Sequence, residues 1–452
     1  MAQLDLLLRG GTVVTGGELL PSDIGVADGK IVALESGLAM SGQDEVDATG
    51  LHIFPGVIDA HVHFNEPGRA DWEGLETGSR ALAAGGGTTF FDMPLNAHPP
   101  TVDAASFDLK LAAARAKSLV DFAFWGGLVP GNLDKMEELA ERGVIGFKAF
   151  MCNSGIEDFS CVDEDTLGKG MERAAKLKKI VAVHAENEMM TREWARQSLR
   201  AGKTGIRDYL ASRPVAAELE AILRAIALSR ETGCALHVVH VSSGAGIALI
   251  MNARLQGMNV SGETCPHYLA LTEDDLVKLG AVAKCAPPLR PATEQESLWV
   301  YLKLDAVTTI GSDHSPAPPE MKTDANFFKV WGGISGAQHT LPLLITEGHM
   351  KRKVRLPLLS QLLSDNVAQR FGLPARKGGI KIGADADLAL VDLNAEFTVE
   401  RDDLFYRHRQ SPYIGSKLRG RVTRTILRGR TVFKDGKIVA KPLGELVKPE
   451  TS

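Results

Sequence analysis

Gly56–Arg69 reads GVIDAHVHFNEPGR, an apolar run that ends in two histidines one residue apart. Apolar and β-branched residues predict a strand over this run, and side chains on a strand alternate faces with period two. His61 and His63 therefore point the same way at the strand's end, as two imidazoles must to grip one metal ion. With 12 histidines in 452 residues, chance alone supplies about 0.3 such pairs, so the pair decides nothing by itself.

The texture around it recurs. HIFPGVIDAHVHF (52–64) is followed by TTFFDMP (88–94), VDFAFWGGLVP (120–130), GVIGFKAFM (143–151), KKIVAVHAE (178–186), CALHVVHVS (234–242), NVSGETCPHYL (259–269) and AVTTIGSDHSP (306–316). Stretches between them, such as DLKLAAARAKSLV (108–120) and EDTLGKGMERAAKLKK (164–179), space their apolar residues as helices do. Eight strand–helix units predict an α/β fold, a (β/α)8 barrel of the TIM type; an open doubly wound sheet usually needs fewer strands.

The two ends read differently. DLLLRGGTVVTGGELLPSDIGVADGKIVALE (5–35) is short β-like runs broken by turn residues, and the texture returns in ADADLALVDLN (384–394) and GRVTRTILRGRTVFKDGKIV (420–439). LRGGTVVT (8–15) and LRGRTVFKDGKIV (427–439) share a pattern, so the termini are expected to pair as one small β-domain. The boundaries expected are 1–54 and 377–452 for that domain and tail, with 55–376 as the barrel.

Bulk properties narrow the class. The chain is 44% hydrophobic and 24% charged with a net charge of -5, which gives no electrostatic reason for a nucleic-acid or anionic-membrane partner. No apolar run is long enough to span a membrane, and MAQLDLLLRGG is unlike a signal peptide. The five cysteines are scattered and form no CxxC, which suits a reducing cytoplasm better than a disulfide frame.

The C-terminal strand ends of such a barrel build its site. Strand one brings His61 and His63, strand four Lys148, strand five His184, strand six His240 and strand eight Asp313. A lone strand histidine is more often a hydrogen-bonded core residue, but four histidines and an aspartate on one rim are a ligand set for Zn²⁺ or a related divalent ion. Lys148 is the odd member. Its ammonium would repel a cation; it either binds a substrate oxyanion or, converted by CO2 to a carbamate, bridges two metals. His237, three residues before His240, is expected on the opposite face with a structural role. His267 and His314 lie near the rim, with supporting roles open to them.

These residues, with DAHVHFNEPGR (59–69), GGGTTFFDMPLNAHPPT (85–101), GFKAFM (146–151), VHAEN (183–187), ETCPHYL (263–269), CAPPLR (285–290) and GSDHSP (311–316), resemble the cyclic amidase branch of the amidohydrolase superfamily, and within it the allantoinases. The resemblance runs from about Leu6 to about Val439. It implies a (β/α)8 barrel with a β-sandwich built from both termini, and hydrolysis of a cyclic ureide, allantoin, to allantoate. It also implies two divalent metal ions, zinc first among Zn²⁺, Co²⁺, Mn²⁺ and Fe²⁺, and commonly a cytoplasmic homotetramer. Carried over position by position, the metal ligands are His61, His63, carboxylated Lys148, His184, His240 and Asp313. Asp313 is also the catalytic proton shuttle, and Asn65, Asn96, Cys285 and Ser315 touch substrate.

Dihydroorotases typically place Arg two residues after the paired histidines; here Asn65 stands there, which favours a neutral ureide over a carboxylate substrate. Arg69 is close enough in sequence to replace that arginine. Hydantoinases, dihydropyrimidinases and non-catalytic scaffolds of the same fold are the competing readings, and the filled ligand positions argue against the scaffold.

Overall fold

The structure, a computed structural model, describes residues 4–450; the outermost residues of both expected terminal segments lie outside that range. The chain opens with β1 (Leu4–Val14), β2 (Leu19–Ala27), β3 (Lys30–Glu35), β4 (Gly42–Asp47) and β5 (His52–Pro55). Asp28 and Gly29 join β2 to β3 with φ of 50° and 73°, the left-handed pair that a tight antiparallel hairpin demands.

Next come the barrel strands β6 (Val57–Val62), β7 (Gly87–Asp92), β8 (Asp121–Phe124), β9 (Gly126–Gly127), β10 (Gly146–Phe150), β11 (Ile180–His184), β12 (Leu236–Val238), β13 (Val260–Thr264) and β14 (Thr309–Ile310). All eight predicted runs contain a strand, the third in two pieces, and every pairing among them is parallel. Backbone hydrogen bonds bridge the gaps in the ladder. Ile145 N–H reaches Phe124 O at 2.9 Å, and His63 N–H reaches His314 O at 2.8 Å, which closes strand eight onto strand one. Ile58, Ala60, Phe91, Ala123, Trp125, Ile180 and Ala182 fill the interior, and Phe371 plugs it.

The last strands are β15 (Leu388–Thr398), β16 (Lys417–Leu427), β17 (Arg430–Lys434) and β18 (Lys437–Ile438). β5 pairs antiparallel with β15, so the two termini do form one domain. The expected sandwich is a single continuous sheet of nine strands curled over one core, in which Leu6, Ile24 and Val26 pack with Leu388, Leu390 and Ile426. Its far turns meet: Ala386 N–H donates to Gly29 O at 2.8 Å and Gly429 N–H to Ala386 O at 3.0 Å.

Lys377 pins this domain to the barrel. Its ammonium lies 2.6 Å from Asp121 on β8 and 2.6 Å from Asp387, all three buried. Beyond β18 the chain returns to the barrel, where Val447 N–H donates to Phe122 O at 2.8 Å.

Candidate metal centre

The rings of His61 and His63 sit 5.4 Å apart at the end of β6, on one face as the period-two rule requires. Asp313 meets them from strand eight, its Oδ1 3.2 Å from His61 Nε2 and 3.5 Å from His63 Nε2. On the other side His184 Nδ1 lies 3.0 Å from His240 Nε2, and the His61 and His240 rings are 5.4 Å apart. Lys148 lies between strands five and three in the sheet, wholly buried, with no hydrogen-bond partner for its Nζ. Its charge is felt by His184 and His240, and that of Asp313 by Lys148, so the six expected ligands converge.

The backbone bends to achieve this. His240 and Asp313 hold φ of 39° and 47°, left-handed values that ordinary residues avoid and that cluster at functional sites. Gly311 is needed for the approach of strand eight, because a Cβ there would come within 2.6 Å of Glu263 Oε2.

Burial sets the charges. It lowers the pKa of His63, His184 and His240, which keeps those imidazoles neutral with lone pairs free for a metal. Burial would raise Asp313, but His61 and His63 outweigh it and hold the carboxyl well below its usual range. Lys148 is pulled down to about 7 by burial, against the opposing pull of Asp313 and Glu263.

Two carboxylates stand behind the histidines. Glu263 Oε1 lies 2.7 Å from His61 Nδ1, and Glu186 Oε2 lies 2.8 Å from His184 Nε2. Burial raises both acids, but His61 on Glu263, and Arg213 with His184 on Glu186, hold each near 2. A carboxylate on the far nitrogen fixes a ligating imidazole's tautomer and orientation. Neither glutamate was assigned a role from sequence, although Glu186 follows His184 by two and Glu263 sits on strand seven.

The donor set fits a divalent metal centre. Oxygen and nitrogen atoms of His61, His63 and Asp313 lie within 4.8 Å of one another, and His63 Nδ1, His240 Nδ1 and Lys148 Nζ are buried without partners. Two further clusters, Cys152–His184–Glu186 and Cys265–His267–Asp313, each include a thiol that burial pushes up and keeps protonated, a poor ligand.

Above the histidines opens a cavity of about 840 Å³. Asn96, Cys285 and Ser315 line it, as do Asn153, Ser154 and Gly155 of the loop after β10. Asn65 does not; its side chain donates to Pro316 O at 3.3 Å, so this position shapes the loop under the rim and does not face the cavity. Arg69 is likewise engaged, on Asn96 O, Ala97 O and Asp158, which removes it as a stand-in carboxylate clamp. Arg213, which lines the cavity beside His184, is neutralised by Glu186.

His237 departs from the expected face. β12 ends at Val238, so parity fails between His237 and His240: His237 Nε2 lies 3.8 Å from Glu263 Oε2, and the His240 backbone N–H donates to Glu263 Oε1 at 3.3 Å. His314 turns away from the cavity, accepting from Gly336 N–H at 3.2 Å. His267 stays beside Asp313 with both ring nitrogens unpartnered.

The profile of the amidohydrolase family matches residues 52–432. The chain is 57% identical to an allantoinase of Rubrobacter xylanophilus over 100% of this chain and 99% of that one. It is 51% identical to an allantoinase of Solibacter usitatus over 99% and 98%. Among solved structures it superposes on the L-hydantoinase (dihydropyrimidinase) from Arthrobacter aurescens with a TM-score of 0.96, at 33% identity over 99% and 100% of the chains. On sequence, fold and the arrangement of its strand-end residues, the chain belongs to the amidohydrolase family.

Proposed function

We propose that this chain hydrolyses the ring amide of allantoin, opening it to the ureido acid allantoate. The observation that carries the reading is the convergence of four imidazoles, one carboxylate and one unpaired buried lysine beneath a single cavity. The substrate comes from the name its relatives bear. The ligands are His61, His63, Lys148, His184, His240 and Asp313, with zinc the first choice of metal and Lys148 carried as a carbamate. A carbamate turns the one donor that would repel cations into an anion, and Lys148 Nζ has no hydrogen-bond partner to lose.

When bound, two divalent ions supply Lewis acidity to an amide carbonyl and lower the pKa of water toward neutrality. The chain's own groups handle the proton. Asp313, kept ionised by its histidine neighbours, takes a proton from the attacking water on a carboxylate oxygen and returns it to the ring nitrogen as the C–N bond breaks. Asn96 Nδ2 and Ser315 Oγ, 3.5 Å apart, offer an amide and a hydroxyl to the polar edge of the ring. The carbonyl of Cys285 accepts from the Tyr209 hydroxyl at 2.8 Å and keeps a second lone pair for a ring N–H. The working form is proposed as a cytoplasmic homotetramer; no helix among the described residues is long and apolar enough to cross a membrane.

Hydantoin or dihydrouracil hydrolysis is the second reading, favoured by the near-complete backbone match to a hydantoinase. The test is kcat/KM for allantoin, hydantoin, dihydrouracil and dihydroorotate on one metal-loaded preparation. Allantoin should lead by about a hundredfold, a difference of ~3 kcal/mol in transition-state binding. A lead for hydantoin or dihydrouracil overturns the substrate, and turnover of dihydroorotate overturns the neutral-ligand reading of the cavity.

A further inference from the structure

A second cavity, also about 840 Å³, opens between the helix Leu75–Ala84 and strands β15 to β17. It shares no lining residue with the metal cavity. Three kinds of group face one another across it. Arg407 and Arg421 line it, and neither forms an ion pair with a carboxylate among the described residues. Arg407 Nε donates to Glu73 O at 2.5 Å and its backbone N–H to Glu73 Oε1 at 3.1 Å, so its stem is anchored, with one terminal nitrogen against Gly74 and neither terminal nitrogen in an ion pair among the described residues. The Arg421 guanidinium lies over Phe397, 4.8 Å from the ring centre.

Aromatic surface supplies the second kind, with Phe405 and Phe433 meeting edge to face at 6.2 Å. The third is acidic. Asp402 is held by Arg409 at 3.0 Å, but Asp403 and Asp435 form no ion pair among the described residues. His339 completes the wall. It is 4% exposed, and its Nδ1 has no hydrogen-bond partner, a group that costs stability unless something meets it.

We propose that this cavity is a binding site for a small carboxylate with a flat body and N–H donors at its far end. Arg407 and Arg421 take the carboxylate in the planar, charge-assisted geometry that guanidinium favours. Phe405 and Phe433 flank the body, and Asp403 and Asp435 accept from the N–H groups. Anchoring Arg407 through Nε before a ligand arrives lowers the ordering cost of binding.

The probe is 4-aminobenzoate, titrated into the metal-loaded full chain and followed by ligand-observed NMR, with aniline as the mimic that lacks the carboxylate. Saturable binding at millimolar concentration is expected, weakened about tenfold or more in Arg407→Gln and in Arg421→Gln, and retained in His63→Ala. Arg421 is exposed on β16, so its variant keeps the test decisive if Arg407→Gln, which loses its brace on Glu73, fails to fold. Binding that never saturates, that survives both arginine changes, that aniline matches, or that vanishes in His63→Ala overturns the site.

Discussion

At the scale of single residues, Asp313 is where geometry and charge meet. Its φ of 47° is one that Asp and Asn tolerate better than most residues, so Asp313→Asn keeps the backbone while removing the proton acceptor. Turnover should fall about a thousandfold with metal retained, read by kcat alongside elemental analysis of the same sample. A variant that turns over near the normal rate would remove Asp313 from proton transfer. Lys148 is the complementary case. Its side chain is wholly buried without a hydrogen-bond partner, so Lys148→Ala costs the fold no hydrogen bond and should cost the protein its metal. A folded, fully loaded Lys148→Ala protein would refute the proposed carbamate.

Among elements, the strand ends matter more than the strands. Lys284 and Lys322 each reach across to backbone carbonyls of the 327–333 loop, Lys284 to Phe327 O at 2.7 Å and Lys322 to Gly333 O at 2.6 Å, and they fix the far wall of the metal cavity. Asp365 ends the π-helical stretch Gln361–Asp365, which runs straight on into the helix Asn366–Arg370, with its Oδ2 buried and unpartnered. Burial raises its pKa from 3.8 to about 6. Between those values the folded state holds the proton more tightly than the unfolded chain, so this residue's cost to stability grows as pH rises and is complete above pH 6. Asp365→Asn should stabilise the protein at pH 8 by about 1 kcal/mol, allowing for partial exposure, with the gain fading as the pH approaches 4. Denaturant midpoints at both pH values measure it, and a gain independent of pH would mean that charge is not the cause.

For the whole molecule, the joint between barrel and terminal sheet rests on Lys377. Its ammonium serves Asp121 on the barrel and Asp385 and Asp387 beside the sheet. Arg428 and Arg376 remain next to Asp121 and Asp385 if the lysine is removed, which leaves Asp387 as the uncompensated buried acid. Lys377→Met should cost about 3 kcal/mol in chemical denaturation, the lower end for breaking a buried ion pair. A loss below about 1 kcal/mol would mean that the apolar packing at this joint carries it unaided.

Periodicity in the chain determined the barrel, because each apolar run between helical stretches must become a parallel strand buried on both faces. It also placed the candidate ligands, since strand ends of a barrel share one rim: His61, His63, Lys148, His184, His240 and Asp313 were readable as one set of strand-end residues. The pairing of the two termini was readable from their common turn-rich texture. Other features depended on where strands stop and which side chains lie across space. Neither alternation nor spacing could say that β12 ends at Val238, that Asn65 turns to Pro316 and not to the cavity, or that Glu186 and Glu263 stand behind the histidines. Those contacts join residues distant in sequence, or follow a bend that breaks the period, and only closure of the barrel brings them within hydrogen-bond reach.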